Sequence, residues 1–202
     1  MSGSNLVDWI FTMAAIVVSW QIHAAGLRQR PSGGSSGSQP AGGGTPVSAR
    51  QTGPLDEKLE HVRLAGAYAE LADFLRGAVL AYEEIVAAFT SGDLQAVLPL
   101  LAPVVRKAFV QVIVERRGRG ESLSTTVIGV AAEPVDAGLD GGTAWVKVRF
   151  AADLVSVLTD LEGVVIDGDP RHVVRAAEAW TFTRDVASAD PNWMLSATDE
   201  DG

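Results

Sequence analysis

The chain has 202 residues, a formal net charge of −9 and no cysteine, which excludes disulfides, thiolate catalysis and thiolate-bound zinc or iron–sulfur centres. Asp8 against Arg28, Arg30 and Arg50 makes residues 1–50 +2, leaving −11 on the rest. A module that neutralises phosphates presents a basic face, so nucleic acid is not an expected partner.

The first element is "LVDWIFTMAAIVVSWQIHAAGL", Leu6 to Leu27. As a helix it would be about 33 Å long, close to the thickness of a bilayer's hydrocarbon core. Its uninterrupted apolar part runs from Trp9 to Trp20, with Asp8 before it and Gln21 and His23 after it. Terminal tryptophans suit the two interfaces of a spanning helix. The shortness of the apolar run keeps a helix lying flat in the interface as the alternative. No Lys or Arg precedes the run, unlike a cleaved signal peptide. Arg28 and Arg30 follow it, which predicts a single N-out anchor with the C-terminal side in the cytoplasm.

Residues 28–54 are rich in Gly, Ser and Pro and carry no apolar periodicity. Such a tract buries too little surface to offset its ordering entropy, which predicts a flexible linker.

Residues 55–199 read as a domain. "LDEKLEHVRLAGAYAELADFLRGAVLAYEEIVAAFTSGD" predicts one long helix ending at Ser91–Gly92, with Phe74, Ala78, Ala81, Ile85, Ala88 and Phe89 on its apolar face. Asp93 caps a short helix with Leu94, Val97, Leu98 and Leu101, disturbed by Pro99. Pro103 opens another, with Val105, Ala108, Phe109, Val112 and Ile113 inward.

After Gly120 the period changes to that of strands. "LSTTVIGVAAEPV", "TAWVKVRFAADLVSVLTD", "GVVIDGD", "RHVVRAAEAWTFTRD" and "NWMLSA" are separated by turn sequences that include "DAGLDGG" and "DGDP". Val146, Val148 and Phe150 alternate with Trp145, Lys147 and Arg149, as in a half-buried strand. Helices followed by strands predict an α+β domain with helices on one face of an antiparallel sheet. In the last hairpin, Phe182 is expected opposite Trp193 and Trp180 opposite Leu195, closing the core.

Groups that could carry chemistry are few. His23, His61 and His172 are far apart and form no metal-binding spacing. Asp167, Asp169 and His172 could serve acid–base work, but "DGDP" is turn sequence and no nucleophile accompanies it. Arg184 and Asp185, adjacent on a strand, face opposite ways and read as turn-flanking residues. Tyr82, Glu83 and Glu84 are expected on a solvated rim, with Tyr82 partly packed. "RRGRG", Arg116 to Gly120, could bind an anion but is expected to be a solvated helix end, where basic side chains suit the helix dipole. No catalytic residue, cofactor-binding residue or metal ligand is assigned, and no enzyme activity or cofactor is expected.

Read in order, "FLRGAVLAYEEIVAAFTSGDLQAVLPLL", "TTVIGV", "VRF", "GDPRHVVRAAEAWTFTRD" and "DPNWMLSAT" resemble the C-terminal domain of translocase of the inner mitochondrial membrane subunit 44 and the bacterial TimA adaptors. The resemblance runs from Tyr68 to Thr198, and the bacterial relatives share the order of membrane segment, variable linker and domain. It implies a nuclear-transport-factor-2-like cone, in which helices rest on a strongly curved sheet around an apolar cavity. It also implies a bacterial inner-membrane adaptor in protein transport, with protein partners and contact with anionic lipid. The mitochondrial relatives link a translocation channel to an Hsp70 motor. This chain lacks their long charged N-terminal region and has Ala189 where arginine is expected, so direct Hsp70 binding is not carried over.

The expected function is thus a membrane-tethered, non-enzymatic adaptor or scaffold for translocation or envelope assembly, holding protein segments or lipid on the concave face. The alternative is small-molecule binding or enzymatic use of the same cavity, which would require titratable groups pointing inward. Alternation offers mostly Val, Ala, Phe and Trp there.

Overall fold

A computed structural model describes residues 53–200. The expected membrane helix, Leu6 to Leu27, and nearly all of the expected linker lie outside the described residues. Among the described residues three α-helices precede five strands: α1 (Pro54–Leu64), α2 (Leu71–Ser91), α3 (Pro103–Gly118), β1 (Ser122–Asp140), β2 (Thr143–Thr159), β3 (Val165–Gly168), β4 (Val174–Asp185) and β5 (Met194–Glu200). A 3₁₀ turn, Gln95–Leu100, joins α2 to α3. The domain is α+β, as the change of period predicts.

The single long helix is a correction: the chain breaks between α1 and α2. Gly66 takes a φ of 82°, and Ala67 N–H donates back to the Val62 carbonyl at 3.3 Å. Tyr68 Oη donates to the Leu59 carbonyl at 2.8 Å and buries Ala67 against the core. Tertiary contacts thus override a run of good helix formers. The end of α2 falls where expected, with Gly92 left-handed and its N–H on the Ala88 carbonyl at 2.9 Å. Asp93 accepts from Gln95 N–H at 3.0 Å and so starts the 3₁₀ turn.

The sheet is antiparallel in the order β1-β2-β4-β5, with β3 paired to the end of β2. "DAGLDGG" is not a loop, which is a second correction. β1 continues to Asp140, and only Gly141 and Gly142 turn, with φ of 53° and 90°. Two successive positive φ values make the tight hairpin turn that matches strand twist, and glycine adopts both without a Cβ clash. Extra residues at Ile128 and Val135 interrupt the β1–β2 ladder, and bulges of this kind bend a strand and increase its twist.

The last hairpin has a different register from the expected one. Phe182 pairs with Leu195 and Thr183 with Met194, while Trp180 falls opposite Thr198 beyond a bulge. Trp193 precedes β5 and packs its ring against Phe74 at 4.8 Å instead. The connection is long because Asp185, Ser188 and Asp190 each close a local turn by accepting a backbone N–H two residues on.

Alternation gives β2 a buried face of Val146, Val148, Phe150, Ala152 and Leu154. Its register sets Val146 opposite Phe182, Val148 opposite Trp180 and Phe150 opposite Glu178. Phe74, Ala78, Tyr82, Ile85 and Phe89 form the buried stripe of α2 above this face. Burying a side chain of this size contributes roughly 1.5–3 kcal/mol, so this layer holds the domain together.

Candidate functional site

At the centre of that layer Tyr82, Phe150 and Trp180 make an aromatic cluster. The Tyr82 ring lies 4.8 Å from Phe150 and 4.7 Å from Trp180, centroid to centroid. Tyr82 is fully buried, so the expected rim position is corrected; Glu83 and Glu84 are exposed, as predicted. Position 82 is four residues after Ala78 and three before Ile85, which places it on the apolar stripe.

The cluster surrounds a carboxylate. Glu178, 3% exposed, accepts from Tyr82 Oη at 2.9 Å through one oxygen and from Trp180 Nε1 at 2.9 Å through the other. Burial pushes its carboxyl from the ordinary 4.5 up to about 7, against the two hydrogen bonds, which pull it down. Burial and the adjacent carboxylate push the Tyr82 phenol upward. The inner face, expected to offer mostly Val, Ala, Phe and Trp, thus also holds a carboxyl. The signal was in the strand: Glu178 precedes Trp180 by two and must share its face.

Glu178 and Trp180 border a cavity of about 40 Å³, lined also by Ile85, Phe89, Phe109 and Leu154. Thr125 and Thr198 add hydroxyls to its wall. A second depression, of about 230 Å³, lies between the start of α2 and Trp193 and is floored by Phe74, Ala78 and Phe182. Asp73 at its edge is exposed and paired with Arg76. Only the first cavity meets a buried ionisable group.

Arg116 is the other buried charge among the described residues, and the expected solvated helix end is corrected there. It is 5% exposed and continues the inward row of Phe109 and Ile113. Its guanidinium donates to the carbonyls of Phe89 and Thr90 at the end of α2. Arg117 donates to the Gly92 carbonyl at 3.0 Å. Both arginines satisfy orphan carbonyls at the negative end of the α2 dipole.

The other predicted candidates do not converge. His172 is exposed, and Asp169 turns its carboxylate to the Arg171 backbone N–H and guanidinium. Asp167 accepts from Gly168 N–H at 2.7 Å, which is turn formation. His61 is exposed on α1, and His23 lies outside the described residues. Asp185 flanks the turn as expected, whereas Arg184 reaches across to the Ala67 carbonyl and to the Asp190 carbonyl. Among the described residues no group of three or more His, Asp or Glu is gathered to hold a metal, and no helix is long and apolar enough to cross a membrane.

No curated protein matches the chain. The intermembrane space region of the chloroplast protein ARC6, known from a crystal structure, is similar at 17% identity. That match covers 62% of this chain and 95% of the other, with a TM-score of 0.40, and bears no weight for fold or function. The family described as the Tim44-like domain matches residues 56–200. That span takes in all three helices but the first residues of α1, and every strand; the chain belongs to the Tim44-like domain family.

Proposed function

We propose that the protein is a membrane-tethered, non-enzymatic adaptor of protein translocation or envelope assembly. Residues 6–27 anchor it in the inner membrane, residues 28–54 form the tether, and the domain of residues 55–199 faces the cytoplasm. The domain is a nuclear-transport-factor-2-like cone whose concave face receives an apolar stretch of protein or lipid, with anionic lipid as a further contact. The observation that carries this reading is the order of the chain: an apolar N-terminal run and a Gly/Ser/Pro tract lead into a Tim44-like domain. The lining of the inner cavity supports it, being largely aliphatic and aromatic. So does Glu178, whose two oxygens are both engaged by internal donors.

Membrane fractionation tests it. The intact chain should sediment with membranes and resist high salt, and deletion of residues 1–30 should release it. A soluble intact chain, or a deletion that stays bound, would overturn the tether.

The alternative, small-molecule use of the cavity, draws on Glu178 beside it. It requires saturable binding of a small molecule that Glu178→Gln abolishes while the fold is kept.

A further inference from the structure

Glu178 is the only carboxyl buried in the core among the described residues, and nothing cationic is set against it. Tyr82 faces it from α2, Phe150 from β2 and Trp180 from its own strand. The other elements add Phe109 from α3, Thr125 from β1 and Thr198 from β5 to the cavity wall, none of them charged. Arg116 of α3 directs its guanidinium to the carbonyls of Phe89 and Thr90. Across the β4–β5 ladder the residue paired with Glu178 is Glu200.

The two protonation states of such a carboxyl ask different things of the cavity. Ionised, each oxygen has two lone pairs and only one donor from the protein. The charge lacks compensation in an apolar surround, and the missing donors can come only from the cavity side. The cavity, at about 40 Å³, exceeds the roughly 10–15 Å³ that a water needs. Protonated, the carboxyl keeps its proton and donates a hydrogen bond through it to Tyr82 Oη, while Trp180 still donates to the other oxygen. No charge then remains to be solvated, and apolar surface can take the water's place.

We propose that protonation of Glu178 switches this cavity between a wet state and a dry one. The ionised carboxylate holds water in it, and the neutral acid leaves it to the apolar surface of an occupant. The upward displacement of the Glu178 carboxyl to about 7 puts the switch at neutral pH, where a change of one pH unit alters the competent fraction severalfold. An apolar occupant binds the dry state and so takes up a proton as it enters. The inference rests on the adaptor reading only for the identity of that occupant.

Trp180 reports the switch directly, because its indole N–H bonds the carboxylate. The experiment is tryptophan emission of the full chain in lipid nanodiscs between pH 5 and 9, with Trp180→Phe subtracted to isolate the signal. The expected result is a red shift with rising pH and a midpoint near 7, absent in Glu178→Gln. Tyr82→Phe removes a hydrogen-bond partner from both forms, but the bond to the ionised form is charge-assisted and the stronger of the two, so its midpoint should move to higher pH. This second variant tests the idea even if Glu178→Gln does not fold. Glu200→Gln should keep the transition. A flat wild-type profile, a transition that survives in Glu178→Gln, a midpoint in Tyr82→Phe that fails to rise, or a transition lost in Glu200→Gln would each overturn the proposal. No protein partner is present in this titration, so its failure counts against the switch and leaves the tether to the fractionation.

Discussion

Arg116 on α3 donates to the Phe89 carbonyl on α2 at 3.0 Å while its guanidinium carbon lies 5.5 Å from the centre of the Phe89 ring. One residue thus receives a charge-assisted hydrogen bond and a cation–π contact from the same side chain. With the second bond to Thr90 at 2.9 Å, this joins the ends of two helices. Hydrogen bonds to charged groups contribute about 1.5–3 kcal/mol. Arg116→Ala should lower unfolding stability by at least ~2 kcal/mol in denaturant titration, because the carbonyls lose their donor in a buried place. Arg117→Ala, at an exposed bond to Gly92, should cost less than about 1 kcal/mol.

The buried Glu178 makes stability depend on pH in a defined direction. Its carboxyl is raised in the fold from 4.5 to about 7, so the folded state holds the proton more tightly than the unfolded chain. The resulting stabilisation is complete below pH 4.5 and is lost as pH rises through 7. The loss amounts to about 3 kcal/mol at ~1.4 kcal/mol per pH unit. Unfolding of the wild type and Glu178→Gln should therefore differ by a quantity that falls with pH across this range. A difference independent of pH would contradict the assignment.

Gly168, at the end of β3, has a φ of 80°, and a Cβ there would sit 2.1 Å from the Ser156 carbonyl oxygen. Gly163 has the same φ but nothing within 4 Å. Gly163→Ala should cost only the left-handed backbone penalty, about 1–2 kcal/mol. Gly168→Ala should cost clearly more and detach β3, seen as faster amide exchange at Val165 and Asp167. Equal costs would contradict this close approach.

Arg184 ties the α1–α2 connection to the β4–β5 connection through the carbonyls of Ala67 and Asp190. Arg184→Ala should raise amide exchange in residues 65–70 and 186–193 while leaving the core strands protected. Its global cost should be about 1–3 kcal/mol. Uniformly faster exchange would mean that Arg184 supports the whole domain.

Much of this fold is legible in alternation and in stops. The buried face of β2, the stripe of α2 and the end at Gly92 follow from periods of 2 and 3.6. Glu178 and Arg116 were equally legible, since each lies on an apolar row in its own element. A charged side chain is read as solvated by default, and only its partners, Tyr82 with Trp180 and the α2 carbonyls, reveal why it is inside. The break at Gly66 depends on Tyr68 reaching Leu59, which no local pattern announces. The β4–β5 register depends on a bulge and a run of Asp and Ser turns, so a count from the proline turn falls short by two residues at Phe182 and, beyond the bulge, by three at Trp180.

The central claim, that the domain holds a partner at its inner cavity beside the membrane, is tested most directly by site-specific photocrosslinking in intact membranes. Val86 lines the cavity and Glu133 lies exposed on β1, which makes them the test and control positions. The account predicts a crosslink from position 86 to membrane lipid or to a protein of the translocation or envelope machinery, with little from position 133. Capture of soluble metabolic enzymes alone, or equal capture from both positions, would contradict it.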